Sequence, residues 1–329
     1  MKDTIAWAFA GTGGITNLFI TGLKAARGAK LLAAASRSMD TARAFAARYG
    51  VEKTYDNYDD MVNDPAVDVV YIGTPHTLHK DMAVKALRAK KAVLCEKPVC
   101  INSAEFSEIA AAARENHAFF MEAMWTRFVP PVRKVREWLS GGLIGEPKMV
   151  QANFGFRVQW DPKGRLLNPL LGGGALLDAG VYPVSFASMV FGPAQPDKIA
   201  AVLQLGETGV DEECTALISW GGPRIASVGA AVRTALTNDA WISGSEGRIH
   251  VPGFVFAHSA DLEVYGKYAY HYEGEFLSNG YNYEAEEVMN CIREGKTESA
   301  VMTLDESALI MKIMDEIRAQ GKLAYPGEK

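Results

Sequence analysis

Short apolar runs alternate with helix-like stretches over residues 1–121, and this alternation is the strongest constraint on the fold. The apolar runs at residues 4–10, 31–35 and 67–72 lack regularly spaced polar positions. A strand without a polar face is covered on both sides, as in a parallel sheet between two layers of helices. Residues 1–122 are therefore predicted to form an α/β Rossmann domain, a doubly wound parallel sheet.

The pattern changes from residue 123 onward. Short strands separated by turn signals follow one another in residues 145–156 and 198–272, with helices predicted at 132–140 and 175–190. Such segregation of strands and helices predicts an α+β domain with a mostly antiparallel open sheet over residues 123–329. We expect the last helix, about residues 305–320, to pack back on the first domain.

Composition argues against several classes of protein. The chain has 34 basic and 39 acidic residues, a net charge of -5, whereas a nucleic-acid-binding protein usually carries a basic excess. No uninterrupted apolar stretch reaches the roughly 18–20 residues of a membrane span, and the N-terminal apolar run is too short for a secretory signal. Four cysteines without a Cys-x-x-Cys pair predict buried, reduced thiols in a cytoplasmic protein and no metal site.

A glycine-rich stretch connects the first predicted strand to the first predicted helix. It comprises Gly11, Thr12, Gly13, Gly14 and Ile15. Glycines there allow a tight turn and a close approach to a pyrophosphate, which then lies at the free N–H groups of the helix N-terminus. Thr16 replaces the third glycine of the usual fingerprint, so the prediction of dinucleotide binding depends on the position of the stretch between strand and helix.

The end of the second predicted strand indicates which dinucleotide is preferred. An NAD-preferring site usually places Asp or Glu there to bind the ribose 2′-hydroxyl, but this chain has Ser36 and Arg37. A hydroxyl and a guanidinium suit a 2′-phosphate, so NADP is predicted over NAD. Asp40 lies close enough in sequence to keep NAD as the alternative.

Three further motifs follow in order along the chain. They are Gly73-Thr74-Pro75-His76-Thr77-Leu78-His79, Cys95-Glu96-Lys97-Pro98 and Gly172-Gly173-Gly174-Ala175-Leu176-Leu177-Asp178-Ala179-Gly180. With them the chain resembles, over essentially its whole length, the Gfo/Idh/MocA oxidoreductases, named after glucose–fructose oxidoreductase and inositol dehydrogenase. Residues 121–128 and 177–182 are similar to the dimeric dihydrodiol dehydrogenase branch, whose members oxidise trans-dihydrodiols of benzene and D-xylose with NADP.

The resemblance implies roles for particular residues. Lys97 matches the family's catalytic lysine, and Asp178 matches the acidic residue of the substrate helix. Tyr182 stands where many members carry histidine, although the dihydrodiol branch shares the tyrosine. The predicted catalytic residues are therefore Lys97, Tyr182 and Asp178. The predicted cofactor site comprises Gly11, Thr12, Gly13, Gly14, Ile15, Ser36, Arg37, Thr74, Pro75, His79, Glu96 and Lys97.

These residue types suit hydride transfer. Oxidation of a secondary alcohol needs a hydride acceptor, which the cofactor provides, and a base for the hydroxyl proton. Asp178 and Tyr182 are four residues apart on a predicted helix and share a face. A nearby ammonium favours a phenolate, whereas a desolvated lysine amine is itself a base. We favour Tyr182 as the proton carrier with Lys97 polarising the hydroxyl, and Lys97 as the base is the alternative.

Four residues of the second domain are predicted to bind substrate. Trp125 and Trp160 would stack on an apolar ring face, and Arg127 and Arg165 would bind hydroxyl groups. The second domain is thus expected to serve both substrate binding and oligomerisation. A sheet covered by helices on one face leaves the other for a second subunit, which predicts a homodimer or a dimer of dimers.

The leading hypothesis is an NADP-dependent dehydrogenase of a sugar, polyol or trans-dihydrodiol. Two alternatives remain open. One is an NAD-dependent glycoside hydrolase of the same family, which would retain its cofactor through a transient oxidation. The other is a non-catalytic sensor that binds NADP. No nucleic acid, membrane or metal is expected as a partner.

Overall fold

A computed structural model describes residues 3–328 as two compact units, each built from separate pieces of the chain. The first unit contains the residues up to Cys100, Ala104–Trp125 and Leu277–Ser307. The second contains Ile101–Ser103, Thr126–Phe276 and the residues from Ala308 onward. The sequence predicted a single domain boundary near residue 122. In the structure, Leu277–Ser307 also belongs to the first unit.

The elements follow one another as the alternation predicts. In chain order the strands are β1 (Ile5–Ala10), β2 (Ala29–Ala35), β3 (Lys53–Tyr55), β4 (Val69–Ile72), β5 (Ala92–Glu96), β6 (Phe120–Ala123), β7 (Pro147–Gly155), β8 (Lys198–Leu205), β9 (Asp211–Ser219), β10 (Ile225–Ala231), β11 (Ala240–Gly244), β12 (Gly247–Val251), β13 (Ser259–Val264) and β14 (Tyr268–Glu273). The α-helices are α1 (Gly14–Leu23), α2 (Met39–Tyr49), α3 (Tyr58–Asn63), α4 (His79–Arg88), α5 (Ser103–Asn116), α6 (Pro130–Ser140), α7 (Val181–Phe191), α8 (Tyr281–Arg293) and α9 (Leu304–Gln320).

The first unit contains a parallel sheet in the order β3-β2-β1-β4-β5-β6. Each neighbouring pair is parallel. The strand order reverses beside β1, as in doubly wound folds that bind dinucleotides at this point. Inside the unit, the ring of Phe19 stacks on Tyr71 at 3.9 Å between centroids and lies 5.5 Å from that of Trp7. The predicted Rossmann fold is confirmed.

The second unit contains an eight-stranded sheet in the order β14-β13-β12-β11-β7-β10-β9-β8. Neighbouring strands are antiparallel except β7 and β10, which run parallel. Helix α7 packs on β7 and β10, while α6 packs on β12, β13 and β14. The predicted α+β fold with a mostly antiparallel sheet is confirmed.

Local signals explain where individual elements begin and end. Ser38 Oγ accepts a hydrogen bond of 3.3 Å from the Thr41 amide and so caps α2, as N-cap serines do. Gly50 ends the same helix in the left-handed conformation with φ of 78°. The segment Pro169–Phe191 is apolar and long enough to span a membrane by composition, but 89% of its apolar window is buried inside the protein. It is therefore a buried segment of the second unit.

Helix α8 belongs to the first unit because it packs against α1. A Cβ atom on Gly22 of α1 would lie 2.8 Å from Tyr281 Cβ and 2.9 Å from the Asn282 amide nitrogen. Only glycine permits this approach of the two helices. Helix α9 is divided between the units, with Ser307 in the first and Ala308 in the second. The sequence predicted that the last helix packs on the first domain, whereas the helix that lies wholly in the first unit is α8.

We predict that Gly22→Ala lowers the free energy of unfolding by about 1–3 kcal/mol, the usual cost of overpacking. The added methyl group must push α8 away from α1 or strain both helices. Gly14→Ala is the matched control, since a Cβ there meets no atom within 4 Å among the described residues. Urea unfolding of both variants measures the difference, and equal stabilities would contradict the close packing.

Candidate functional site

The glycine-rich stretch forms an open cradle at the start of α1. Gly11 has φ of 92°, and a Cβ there would lie 3.0 Å from the Gly73 carbonyl oxygen. By contrast, a Cβ added at Gly13 or Gly14 would have no atom of the described residues within 4 Å, apart from those of its chain neighbours and of its own helix backbone. Helix α1 also begins with no side-chain cap from the described residues and no acidic residue in its first turn. Unpaired helix N–H groups facing open space fit a dinucleotide pyrophosphate.

The end of β2 presents a cation. Ser36 is half-buried, its amide donates to the Tyr55 carbonyl oxygen at 3.2 Å, and Arg37 is exposed. Arg37 forms no ion pair within the part of the chain that the structure describes. Asp40 is also exposed, in the first turn of α2. The preference for NADP therefore stays a prediction that is consistent with an accessible guanidinium.

A buried imidazole holds together the turns that follow β4 and β5. His79 Nε2 lies 2.8 Å from the Thr74 carbonyl oxygen, and Nδ1 lies 3.0 Å from that of Pro98. Burial lowers the pKa of His79, so the ring is neutral at neutral pH and donates from one nitrogen at a time. His79 thereby braces the turn of Thr74 and Pro75 against the cis Lys97–Pro98 peptide. Its direct contact with the cofactor stays a prediction.

Lys97 follows β5 at the carboxyl edge of the parallel sheet, where ligands of such sheets bind. Its side chain is half-buried, whereas that of the preceding Glu96 is buried. Tyr71 donates a hydrogen bond of 2.6 Å to Glu96 Oε1, so the Glu96 carboxyl group points into the unit. The structure thus places Lys97, half-buried, directly after β5, and turns the Glu96 carboxyl group into the interior of the unit.

Glu284 of α8 is a second buried acid near Glu96 that the sequence did not single out. It is fully buried, and neither carboxyl oxygen has a hydrogen-bond partner among the described residues. Burial, and then the charge of Glu96, raise the pKa of Glu284 well above its ordinary value. Burial therefore favours the uncharged form of Glu284. The available signal was its place on the buried face of α8, between Tyr281 and Val288.

The second unit carries Asp178 and Tyr182 on one continuous segment. Residues Leu176–Gly180 form a π-helical turn that leads into α7, where the sequence predicted one regular helix over 175–190. A Cβ on Gly180 would lie 3.0 Å from Leu176 Cδ1 and 3.3 Å from Ala230 Cβ, so the turn lies tightly against β10. Single π-helical turns are frequent at functional sites.

An ion pair orients the predicted catalytic acid. Arg165 Nη1 donates to Asp178 Oδ1 at 2.6 Å, and the side chain of Asp178 is only 7% exposed. Arg165 is itself exposed, so its charge is accessible while it holds the carboxylate. Tyr182 is buried and meets the ring of Phe154 edge to face at 5.5 Å between centroids. The segment therefore carries a buried carboxylate and a buried phenol, and the guanidinium of Arg165 reaches the carboxylate from the preceding loop.

The other predicted substrate residues lie in different settings. Trp125 is buried in the first unit and stacks on Tyr281 at 4.8 Å. Arg127 is buried behind α7, where its Nε and Nη2 atoms donate to the hydroxyl and carbonyl oxygens of Ser185 at 3.0 and 2.8 Å. Trp160 is exposed, with the Arg233 guanidinium 5.6 Å from its ring centre. Trp125 and Arg127 are thus packed inside their units, and all four assignments stay predictions.

Among residues 3–328, no group of three or more histidine, cysteine, aspartate or glutamate side chains is arranged to hold a metal ion. Two pairs of the titratable groups described above are joined by hydrogen bonds. They are Tyr71 with Glu96 and Arg165 with Asp178.

Comparisons with known proteins identify the family. A family model described as "Oxidoreductase family, NAD-binding Rossmann fold" matches residues 5–124, and one for the GFO/IDH/MocA C-terminal domain matches residues 132–250. The trans-1,2-dihydrobenzene-1,2-diol dehydrogenase of Xenopus laevis is 38% identical over 329 residues, covering 97% of this chain and 99% of that protein. The human protein of the same name is 37% identical over 312 residues and covers 91% of each chain.

A solved structure agrees with these relatives. The 3-ketoreductase KijD10 from Actinomadura kijaniata, in complex with NADP and TDP-benzene, superposes with a TM-score of 0.84 at 25% identity. The match covers 96% of this chain and 98% of that one. The glycine cradle and Lys97 lie within the first range matched by the family models, and Asp178 and Tyr182 lie within the second. The chain belongs to the Gfo/Idh/MocA oxidoreductase family and is an NAD(P)-dependent oxidoreductase that acts on CH–OH groups.

Proposed function

We propose that this enzyme is an NADP-dependent dehydrogenase of a trans-dihydrodiol, sugar or polyol. The observation that carries the proposal is the ion pair between Arg165 and Asp178, because Asp178 lies on the same segment as Tyr182. A buried carboxylate that is already oriented by a guanidinium suits a substrate with adjacent hydroxyl groups. Relatives of nearly the same length are named for oxidation of such a diol.

The residues of this chain divide the work of the reaction. The nicotinamide, when bound, supplies the hydride acceptor. Asp178, held by Arg165, accepts a hydrogen bond from a substrate hydroxyl and orients the carbon to be oxidised. Tyr182 takes the proton of the reacting hydroxyl, and the Lys97 ammonium polarises that hydroxyl. Lys97 acting as the base itself is the alternative assignment.

An assay panel tests the proposal. Purified enzyme is incubated with trans-1,2-dihydrobenzene-1,2-diol, D-xylose or myo-inositol, each with NADP or NAD, and reduced nicotinamide is measured by absorbance. Net NADPH formation with at least one of the three is expected. A glycoside hydrolase that retains its cofactor would give no net reduction, and a sensor would bind NADP without turnover, so either result would refute the dehydrogenase.

We predict that Lys97→Met lowers kcat by at least about a hundredfold, a typical contribution of a positioned acid or base. Binding of NADP, measured by fluorescence titration, is expected to change little, because phosphate recognition is assigned to the glycine cradle. Lys85→Met removes an exposed lysine of the same unit and serves as the control. Unchanged turnover of the Lys97 variant would remove Lys97 from the mechanism.

We predict that Arg37→Ala weakens NADP binding by about ten- to a hundredfold, the value of a charge-assisted hydrogen bond, and leaves NAD binding nearly unchanged. The 2′-phosphate is the only group that distinguishes the two cofactors. Arg48→Ala, an exposed arginine at the other end of α2, is the control. Equal losses for both cofactors would show that Arg37 does not read the 2′-phosphate.

We also propose that the enzyme forms a homodimer, or a dimer of dimers, through the open face of the second unit's sheet. Val202, Leu217, Ile225 and Met149 are exposed on the neighbouring strands β8, β9, β10 and β7. The registers of these neighbouring strands place all four side chains on one face of the sheet. Exposed apolar clusters of this kind mark protein–protein contacts.

Sedimentation velocity tests the assembly. The unmodified protein is expected to sediment as a dimer or larger, and Leu217→Arg as a monomer, since a charge at the centre of an apolar contact opposes association. Leu277→Arg alters an equally exposed leucine of the first unit and is the control. A monomeric unmodified protein would end this proposal.

The cytoplasm is the compartment we propose for the enzyme. Cys95, Cys100, Cys214 and Cys291 are all buried and free of disulfide bonds. Reduced cysteines are typical of proteins in a reducing compartment. Cell fractionation followed by immunoblotting tests the assignment, and recovery in a secreted or membrane fraction would contradict it.

A further inference from the structure

Two of the three consecutive glycines before the catalytic segment, Gly173 and Gly174, have a steric explanation. Gly174 has φ of 125°, and a Cβ there would collide with Asp211 Oδ1 and lie 3.0 Å from the Tyr325 hydroxyl. A Cβ on Gly173 would lie 2.8 Å from the carbonyl oxygens of Arg165 and Leu166. The backbone at the start of the segment is therefore enclosed by other parts of the second unit, and Asp211 is the acidic group among them.

Asp211 binds the N-terminal end of the segment that carries Asp178 and Tyr182. It is the first residue of β9 and is fully buried. Asp211 Oδ2 accepts a hydrogen bond of 2.6 Å from the Leu176 amide, at the first residue of the π-helical turn. Asp211 Oδ1 has no hydrogen-bond partner among the described residues. A carboxyl group from a distant strand thus does what an N-cap side chain normally does from the helix itself.

A second contact fixes the adjacent backbone. The hydroxyl of Tyr325 donates a hydrogen bond of 2.6 Å to the Gly173 carbonyl oxygen. The guanidinium of Arg318 lies 5.2 Å from the centre of the Tyr325 ring. The charged and titratable groups that act on Asp211, directly or through these partners, are Arg318, Tyr325, Cys214, Asp315 and Glu328.

We propose that Asp211 is a positioning residue, which holds the start of the catalytic segment in place while it is uncharged and loosens it on ionisation. The proposal rests on the proposed function only in that Asp178 and Tyr182 are taken to serve catalysis. Asp211 touches neither of these side chains in any contact described above. It acts instead through the backbone amide at the start of the segment they share.

The direction of the effect follows from burial. Desolvation raises the pKa of Asp211 to about 7, against the opposing effects of the Leu176 amide and the Arg318 charge. An aspartate in water titrates near about 4. The stability that the bound proton contributes is fully present below about pH 4 and is lost as the pH rises through 7. Between these two values, a local opening that hydrates Asp211 becomes about tenfold more favourable per pH unit, and above about pH 7 the effect levels off because Asp211 is then ionised in both states.

Opening of the segment would lower the fraction of enzyme that is competent to bind substrate. Apparent affinity falls in proportion to that fraction, whereas saturating substrate restores the closed form. The expected signature is a KM that rises up to about pH 7 and then levels off, with little change in kcat. Titration of a proton carrier would instead change kcat with pH, so the two effects are separable.

The test compares the unmodified enzyme with Asp211→Asn, which keeps an acceptor oxygen but cannot ionise. KM for trans-1,2-dihydrobenzene-1,2-diol is expected to rise about fivefold or more between pH 6 and 8.5 in the unmodified enzyme and to stay flat in the variant. Asp64→Asn is the matched control: Asp64 also accepts a backbone amide, from Ala66, but its pKa is lowered to about 2 by Lys53. The control should keep the rise.

Two results would overturn the proposal: a flat KM in the unmodified enzyme, or a rise that persists in Asp211→Asn. NADP affinity, measured at both pH values, should be unchanged in all three proteins, because the cradle belongs to the first unit. A variant whose NADP affinity falls has been damaged more widely.

A second measurement applies if Asp211→Asn does not fold or no diol is turned over. Hydrogen–deuterium exchange of the unmodified protein is followed at pH 6 and 8.5, corrected for the intrinsic exchange rates. Peptides covering residues 174–182 are expected to lose protection at the higher pH, while those of β5 do not. Unchanged protection would overturn the role of Asp211. Lost protection without turnover of any substrate would support Asp211 and refute the proposed function instead.

Discussion

Parallel pairing of β1 with β2 and β4, and of β4 with β5, is the constraint on which the cofactor side of the protein depends. Because the strands run in one direction, the turns that follow them emerge at the same edge of the sheet. The glycine cradle, Arg37 and Lys97 come together there although up to 86 residues separate Gly11 from Lys97 in the sequence. The buried His79 ring lies between carbonyl groups of two of these turns and donates a hydrogen bond to one of them at a time.

Patterns within single elements were enough to predict both sheets, the glycine cradle and the position of Lys97 after a buried strand. They could not show which unit a later helix packs against. Residues in α8 have ordinary helical periodicity, and only the close approach at Gly22 assigns that helix to the first unit. The same limit applies to Trp125 and Arg127, since apolar stacking on Tyr281 and donation to Ser185 depend on neighbours that lie far away in sequence.

The direction in which an acid's pKa is shifted is the second feature that sequence patterns could not predict. Glu284 and Asp211 have pKa values raised by burial, whereas Asp64, paired with Lys53, has one lowered to about 2. All three look alike as acidic residues near an apolar run. Raised values make the folded state less stable as the pH rises, and a lowered value does the opposite. The protein thus keeps two buried acids whose ionisation opposes folding. Glu284 lies near Glu96, which precedes Lys97, and Asp211 binds the Leu176 amide at the start of the segment with Asp178.

The glycine motif at residues 172–180 combines two requirements in one stretch of chain. Gly173 and Gly174 let the backbone lie against carbonyl groups and against Asp211, where any side chain would collide. Asp211 accepts a hydrogen bond from the amide of Leu176, the first residue of the π-helical turn. The turn therefore begins at a fixed point, and Asp178 follows two residues later. Arg165 binds the Asp178 carboxylate from the loop whose carbonyl oxygens enclose Gly173. Glycines without side chains thus determine where the charged side chains lie, because the enclosed backbone leaves the segment one place to begin.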